Sequence, residues 1–335
     1  MGSMIEDLKK RDAFPEETKE VRLIQTHISF VFICDSYVYK VKKPVDFGFL
    51  DFTSLEKRRL FCEKEVELNR RLAGDVYIGV LPVIYDGKRH LIDKVSGETV
   101  DYAVKMKRLP EDMLMKRLFE ENKLREEHLK EVAQRISEFH LSADTSLQIE
   151  EFGRPEVFKI NTDENFDQVQ KYIGITIDKE KFYEIKEWTE KFYEERGELF
   201  DERIRKKRIR DCHGDLHMEH IYLSEEGPII IDCIEFNDRF RYGDTVGDIA
   251  FLLMDLEYHG GKRFSDVLWR YYKEFANEED EADEILRFYK VYRAFVRGKV
   301  NSFQLDDPSI GTKEKESAIK RARSYFDLAY SYIKE

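Results

Sequence analysis

Residues 213 to 223, HGDLHMEHIYL, place His213, His217, His220, Asp215 and Glu219 within eight positions. The apolar run that follows, PIIIDCIEF (228–236), carries Asp232 among its hydrophobic residues. Asp215 stands five residues before His220 and seventeen before Asp232. Side chains of these types support two chemistries. Phosphoryl transfer needs one carboxylate beside the acceptor hydroxyl, a second to hold a divalent ion on nucleotide phosphates, and a loop side chain to complete the metal or phosphate shell. A transition-metal site would instead use His213, Asp215, His217, His220 and Asp232 to activate water for hydrolysis. The order His-x-Asp, then a partner five residues on, then an acid on a following strand is that of phosphoryl transfer.

That chemistry also requires a strand lysine for the α- and β-phosphates and a helix glutamate to pair with it. VRLIQTHISFVFICDSYVYKVKK (21–43) alternates β-branched and aromatic residues across breaks at THIS and CDS, which predicts three antiparallel strands. Alternation puts Val38, Lys40 and Lys42 on one face, so Lys40 is the first choice for the phosphate lysine and Lys42 the alternative. The next segment, 51–74, changes period to a helix. Thr53 or Ser54 can cap it, and Gly74 can end it. Glu65 shares its apolar face with Phe61, Leu68 and Leu72, where a carboxylate is costly unless paired. Glu65 is therefore the expected lysine partner. GVLPVIYDGKRHLID, turning at Asp86-Gly87, and VDYAVKMKRL continue the sheet to Pro110. Met106 to Leu109 sit where a lobe-connecting strand would offer backbone groups to an adenine. The first hairpin turn, QTHISF, has no glycine; Thr26, His27 and Ser29 are its candidate phosphate donors.

From Pro110 onward the periodicity is mainly helical, with long amphipathic stretches at 126–144 and 183–204. His140 reads as a packing histidine with a hydrogen-bond partner, and NEEDEADE (277–284) as a solvated acidic face. The whole chain, 335 residues at 41% hydrophobic content, is long enough for one large domain or two lobes with real cores. Its net charge of -12 argues against bulk binding to nucleic acid or to an anionic membrane. No run of about 18 apolar residues and no secretory leader is present, and the four cysteines form no CxxC pair. The expectation is a cytoplasmic protein with buried thiols.

HGDLHMEHIYL followed by IIIDCIEFND resembles the aminoglycoside phosphotransferase family, the small-molecule branch of the kinase-like fold. RYGDTVGDIAFLLMDLE (241–257), with Asp248 heading a helix, and FYKVYRAFVRGK (288–299) are similar to later segments of that family. YVYKVKKPVDFGFLDF resembles a subgroup of unassigned substrate. The resemblance makes Asp215 the catalytic base or hydroxyl-orienting residue, His213 a brace of the loop, and Asp232 the Mg²⁺ ligand. Glu235, three residues past Asp232, is a further metal candidate. One position departs from the family pattern: His220 stands where asparagine is usual. An imidazole there either favours a softer ion such as Mn²⁺ or donates to a phosphate.

The resemblance implies an α+β, two-lobed protein-kinase-like fold. Residues 1–20 would be an N-terminal extension, 21–110 an antiparallel N-lobe with one inserted helix that binds nucleotide, and 111–335 a larger, mainly helical C-lobe with the catalytic loop and substrate site. It implies an ATP- and Mg²⁺-dependent kinase acting on a hydroxyl of a small polar molecule such as a sugar, amino sugar or aminoglycoside. Two alternatives stand beside it: the metal-dependent hydrolase built on 213–232, and a kinase with an RNA or protein acceptor, for which the basic run RIRKKRIR (203–210) argues.

Overall fold

The structure, a computed structural model, describes residues 2–308 and 310–335. The chain divides into two compact units, Met1–Asn122 with Glu219–Asp238, and Lys123–Met218 with Arg239–Glu335.

The first unit runs α1 (Gly2–Leu8), β1 (Arg22–Gln25), β2 (Ser29–Ile33), β3 (Tyr37–Lys42), α2 (Leu55–Ala73), β4 (Tyr77–Tyr85), β5 (His90–Ile92), β6 (Glu98–Lys107) and α3 (Met115–Glu120). The six strands form one antiparallel sheet in the order β1-β2-β3-β6-β4-β5. Register places Val38 opposite Met106 and Lys40 opposite Val104. Ser54, not Thr53, caps α2: its side chain accepts from the Lys57 amide, and Gly74 ends the helix at φ +53°. The β4–β5 turn closes as Asp86 Oδ1 accepts from Lys88 N and Arg89 N, both 2.9 Å away.

Each sheet face is covered. Cys62, Val66 and Ala73 of α2 pack with Tyr77, Val104 and Met106 on one side. On the other, Met4, Ile5, Leu8 and Phe14 pack with Phe32, Tyr39, Val41 and Ile92. The first residues are thus part of the core rather than an extension, because Met4, Ile5 and Leu8 share one helical face and each gains about 1.5–3 kcal/mol by burial. The boundary expected at 110 falls later, after Asn122, and the stretch 219–238 returns to this unit. It does so through the hairpin Ile221–Ser224 and Gly227–Ile230, which lies beside α2, while Tyr222 bridges to Leu114.

The second unit is helical: α4 (Glu126–Ser142), α5 (Leu147–Glu150), α6 (Pro155–Val169), α7 (Lys179–Arg205), α8 (Asp238–Arg241), α9 (Thr245–Tyr258), α10 (Lys262–Ala276), α11 (Ala282–Phe303) and α12 (Thr312–Lys334). Its core joins Phe166, Phe182, Phe251, Phe295 and Phe326. Gly298 makes this packing possible, since a Cβ there would stand 2.7 Å from the Phe326 ring. A short antiparallel ribbon, Ile209–Asp211 with Tyr242–Asp244, leads into the HGD loop. The architecture is the expected α+β, two-lobed kinase-like one. All four cysteines are free and buried. Among the described residues no helix is long and apolar enough to cross a membrane.

Candidate active site

In the first unit, β3 and α2 bring together the groups that strand alternation and helical phase assigned to one another. Lys40 Nζ lies 2.6 Å from Asp232 Oδ1 and 2.9 Å from Glu65 Oε1; the latter contact is an ion pair whose angles do not make it a hydrogen bond. Lys42 donates to Glu65 Oε2 at 2.7 Å and also to Glu235. Both lysines therefore reach Glu65, which is wholly buried. Burial penalises the charge on Glu65, yet Lys40 and Lys42 outweigh it and hold its pKa below the ordinary value. Burial likewise works against the Lys40 ammonium, but Asp232, Glu65 and Glu235 raise its pKa well above that of a free lysine. Glu235 moves the other way: burial pushes its carboxyl up against the pull of Lys42.

Asp232 differs from the other four groups in being 42% exposed at its side chain. Its backbone is left-handed, φ +64°, a conformation that costs a non-glycine residue about 1–3 kcal/mol. Two bonds hold it there: its N–H donates to Tyr77 Oη at 3.2 Å, and the Cys233 N–H donates to Asn69 Oδ1 at 2.9 Å. His220 Nε2 stands 3.5 Å from Asp232 Oδ2. The donor set suits a divalent ion. Two ammonium groups face three carboxylates, so one negative charge is in excess when all are ionised, and the accessible carboxylate is Asp232. Glu235, also a metal candidate, has only 4% of its side chain exposed and is engaged by Lys42. Ser29 Oγ is buried with no hydrogen-bond partner among the described residues, while the Ser29 amide donates to Thr26 Oγ1 at 2.9 Å. Val38, Met106, Leu109, Ile229 and Ile231 border one apolar cluster, a surface suited to a flat aromatic base.

In the second unit the HGD loop is fixed by α9. The Asp248 carboxylate accepts from His213 N at 2.9 Å, Gly214 N at 2.8 Å and His140 Nε2 at 3.1 Å. Burial alone would raise the Asp248 pKa; the His140 hydrogen bond and the charges of His140, His213 and Arg293 depress it far below the carboxylate range. The His213 ring accepts from Asp215 N at 3.3 Å, and Arg293 donates to Gly214 O at 3.0 Å. Two turns further along the same helix, Asp255 accepts from Met218 N at 3.0 Å. The backbone around Asp215 is thus tied on both sides, while the Asp215 side chain is 34% exposed. His217 Nε2 lies 3.5 Å from Asp215 Oδ2; burial works to lower its pKa, but the Asp215 charge and hydrogen bond raise it.

Sequence reasoning placed Asp248 at a helix start and His140 as a bonded packing residue; neither was assigned to the loop, and Asp255 and Arg293 were not singled out. A signal existed. Asp248 and Asp255 interrupt the apolar helix TVGDIAFLLMDLEY seven residues apart, two turns, on one face, and both are buried. Five of the six charges in the basic run 203–210 have partners within the chain. Arg203 pairs with Asp244 and Glu278, Lys206 with Glu202 and Glu279, and Lys207 with Glu150, while Arg208 and Arg210 donate to backbone carbonyls.

Residues 49–285 match the phosphotransferase enzyme family, and the chain belongs to it. The uncharacterized protein Rv2004c of Mycobacterium tuberculosis (strain ATCC 25618 / H37Rv) is 32% identical over 277 residues, 82% of this chain and 53% of its own length. The chain thus spans about half the length of the curated relatives it matches. Among solved structures, a choline kinase from Cryptosporidium parvum Iowa II superposes with TM-score 0.57 at 12% identity, covering 97% of this chain and 94% of that one. The ADP-bound aminoglycoside phosphotransferase APH(2'')-Ib gives TM-score 0.51 at 18% identity, covering 92% and 95%. These likenesses establish the kinase-like fold, and the family match places the chain in the phosphotransferase enzyme family.

Proposed function

We propose that this phosphotransferase moves the γ-phosphoryl group of ATP to a hydroxyl of a small polar molecule, with a divalent ion as cofactor. The observation that carries the reading is the set Lys40–Glu65–Asp232, drawn from three separate stretches of sequence around one ammonium group. An ammonium held by Glu65 is preorganised for the α- and β-phosphates, and Ser29 Oγ is a hydroxyl in need of a partner. Asp232, with His220 beside it, would hold Mg²⁺ or Mn²⁺, which when bound supplies positive charge to the phosphate oxygens. Asp215 takes the proton of the acceptor hydroxyl as that oxygen bonds to the γ-phosphorus; the bond from phosphorus to the ADP oxygen breaks, and ADP leaves. His213 and Asp248 keep the Asp215 backbone in place.

The hydrolase reading, built on His213, Asp215, His217, His220 and Asp232, has less support, because it gives no role to Lys40 and Glu65, which pair in the first unit. The engaged charges of 203–210 likewise leave little to attract an RNA acceptor.

The test uses purified protein, ATP and Mg²⁺ with a pool of hydroxyl compounds, comparing wild type with Asp215→Asn and Asp232→Asn. The expected result is nucleotide binding by wild type and Asp215→Asn, weakened in Asp232→Asn, and phosphate transfer by wild type only. Absence of both binding and Asp215-dependent transfer refutes the reading.

A further inference from the structure

Arg297 of α11 is a charge without an anion. Its guanidinium lies over the rings of Phe251 and Tyr325, with centroids 5.8 and 5.5 Å away. Its Nε is shut off from solvent with no hydrogen-bond partner, and no described carboxylate comes within ion-pair distance of the guanidinium. Arg293, one turn earlier on the same helix, is the opposite case. It donates from Nε to Gly247 O and from Nη1 to Gly214 O, both at 3.0 Å, and so fixes the HGD loop. A buried polar atom left unpaired needs an explanation, and a bound ligand is one.

Its surroundings say where that ligand would sit. Phe251, the ring beneath Arg297, also meets the His217 ring at 5.5 Å, and His217 stands 3.5 Å from the Asp215 carboxylate. Burial disfavours the Arg297 charge, while Tyr325, Asp215 and Asp255 act on it in the opposite sense, so the proposed base is within electrostatic reach. Asp255 does not neutralise it, being committed to Met218 N and paired with His259 at 3.7 Å. The platform is rigid: Tyr325 stacks on Tyr258 with centroids 3.7 Å apart and planes 7° from parallel. A planar guanidinium over aromatic rings is a preferred receptor for a carboxylate or phosphate, which it takes through two parallel hydrogen bonds.

We infer that the acceptor of this phosphotransferase is anionic, a hydroxyl compound bearing a carboxylate or phosphate group, and that Arg297 anchors that group while the hydroxyl is presented to Asp215. The inference rests on the phosphotransferase reading above. The step stays balanced: the acceptor oxygen gains the γ-phosphoryl group, its proton goes to Asp215, and ADP departs with the former bridging oxygen.

The test is calorimetric binding to the full chain, saturated with a non-hydrolysable ATP analogue and Mg²⁺ so that the nucleotide-phosphate site is filled. The probes are glycerate against glycerol, gluconate against glucitol, glucose 6-phosphate against glucose, inorganic phosphate, and choline. The expected result is that at least one anionic probe binds about tenfold or more tighter than its neutral partner. Arg297→Gln should weaken that probe by about 100-fold and Arg297→Lys by less, with affinity for the ATP analogue unchanged in both. Comparison of the sugar acids with the phosphates then identifies the source of the charge. The inference is overturned if no anionic probe binds, if neutral partners or choline bind as well, or if folded Arg297→Gln and Arg297→Lys bind as wild type does. A fall in melting temperature without any change in probe affinity assigns Arg297 to packing and also overturns it. Failure of the ATP analogue to bind at all refutes the phosphotransferase reading instead, so the two outcomes are separable.

Discussion

Replacing Asp248 by asparagine keeps the shape of the side chain and removes what its environment requires. Three donors converge on two carboxylate oxygens, from His213 N, Gly214 N and His140 Nε2 at 2.9, 2.8 and 3.1 Å. An amide offers one acceptor oxygen and turns the other atom into a donor, so at least one loop N–H faces an N–H group. An unsatisfied buried donor costs about 1–3 kcal/mol, and the loss of charge from the remaining bonds about 1 kcal/mol more. The sum, about 3 kcal/mol at the middle of that range, corresponds to a melting temperature lower by about 4 °C in a chain of this size. Catalysis should fall further than stability, because a displacement of Asp215 by about 1 Å costs about 100-fold in rate. Calorimetry and the initial rate of ATP turnover measure the two effects. The pH dependence follows from the depressed carboxyl. A group whose pKa is lowered by folding contributes stability that is complete above the unfolded carboxylate range and is lost as pH falls through the folded value. The gap between wild type and Asp248→Asn should thus be flat from about pH 5 upward and close only in acid. A variant that melts within about 1 °C of wild type and turns over ATP within about twofold would show that Asp248 does not hold the loop.

Lys40→Met and Lys42→Met should separate function from stability: Lys42, fully buried between Glu65 and Glu235, should cost about 3–5 kcal/mol in denaturant unfolding, whereas Lys40, beside exposed Asp232, should mainly weaken ATP-analogue binding. Equal effects of the two on nucleotide affinity would contradict that division. His220→Asn replaces a nitrogen beside Asp232 with an amide oxygen, and the ratio of Mn²⁺- to Mg²⁺-supported analogue affinity should drop several-fold; an unchanged ratio argues that the imidazole does not touch the ion. Burial lowers the Lys299 pKa to about 8, a drop worth at most about 3 kcal/mol, although Asn165 and Gln168 accept from its ammonium and offset part of this. Because the unfolded chain binds the proton more tightly between about pH 8 and 10.5, stability contributed at this site rises with pH across that window. Lys299→Met should therefore be the more stable protein near pH 7 and lose its advantage by about pH 10, and a stability difference independent of pH would contradict the shift.

The parts of the site that were legible in the sequence are those governed by a short-range period. Alternation in YVYKVKK put Lys40 and Lys42 on one face, and helical phase put Glu65 among Phe61, Leu68 and Leu72; the structure joins these three groups in one network. The choice between the lysines was not legible, because both reach Glu65 and only the third partner, Asp232 for one and Glu235 for the other, tells them apart. Those partners lie about 190 residues away, where no local pattern records the pairing. The same limit hid the return of 219–238 to the first unit, since the hairpin that carries Asp232 lies beside α2 and not beside its sequence neighbours. It also hid the place of the first residues: MIEDL shows three apolar positions on a helical face, but a helix of seven residues is too short to declare what it covers.

Loop and helix in the second unit carry a different lesson. HGD is recognisable because its residue types are chemically reactive, whereas Asp248, Asp255 and Arg293 do no chemistry and hold the loop through backbone groups. Backbone N–H and C=O groups have no sequence signature of their own, so their side-chain partners can be inferred only from the cost of burying an acid in an apolar helix. That cost distinguishes the two arginines one turn apart on α11. In sequence Arg293 and Arg297 are indistinguishable; in the structure the first meets two carbonyls, while the second lies over aromatic rings with its Nε unpartnered. A charge satisfied by the fold explains itself. One with a buried donor that the fold leaves unmatched is explained by what the protein binds, and the affinity of Arg297 variants for anionic hydroxyl compounds measures that directly.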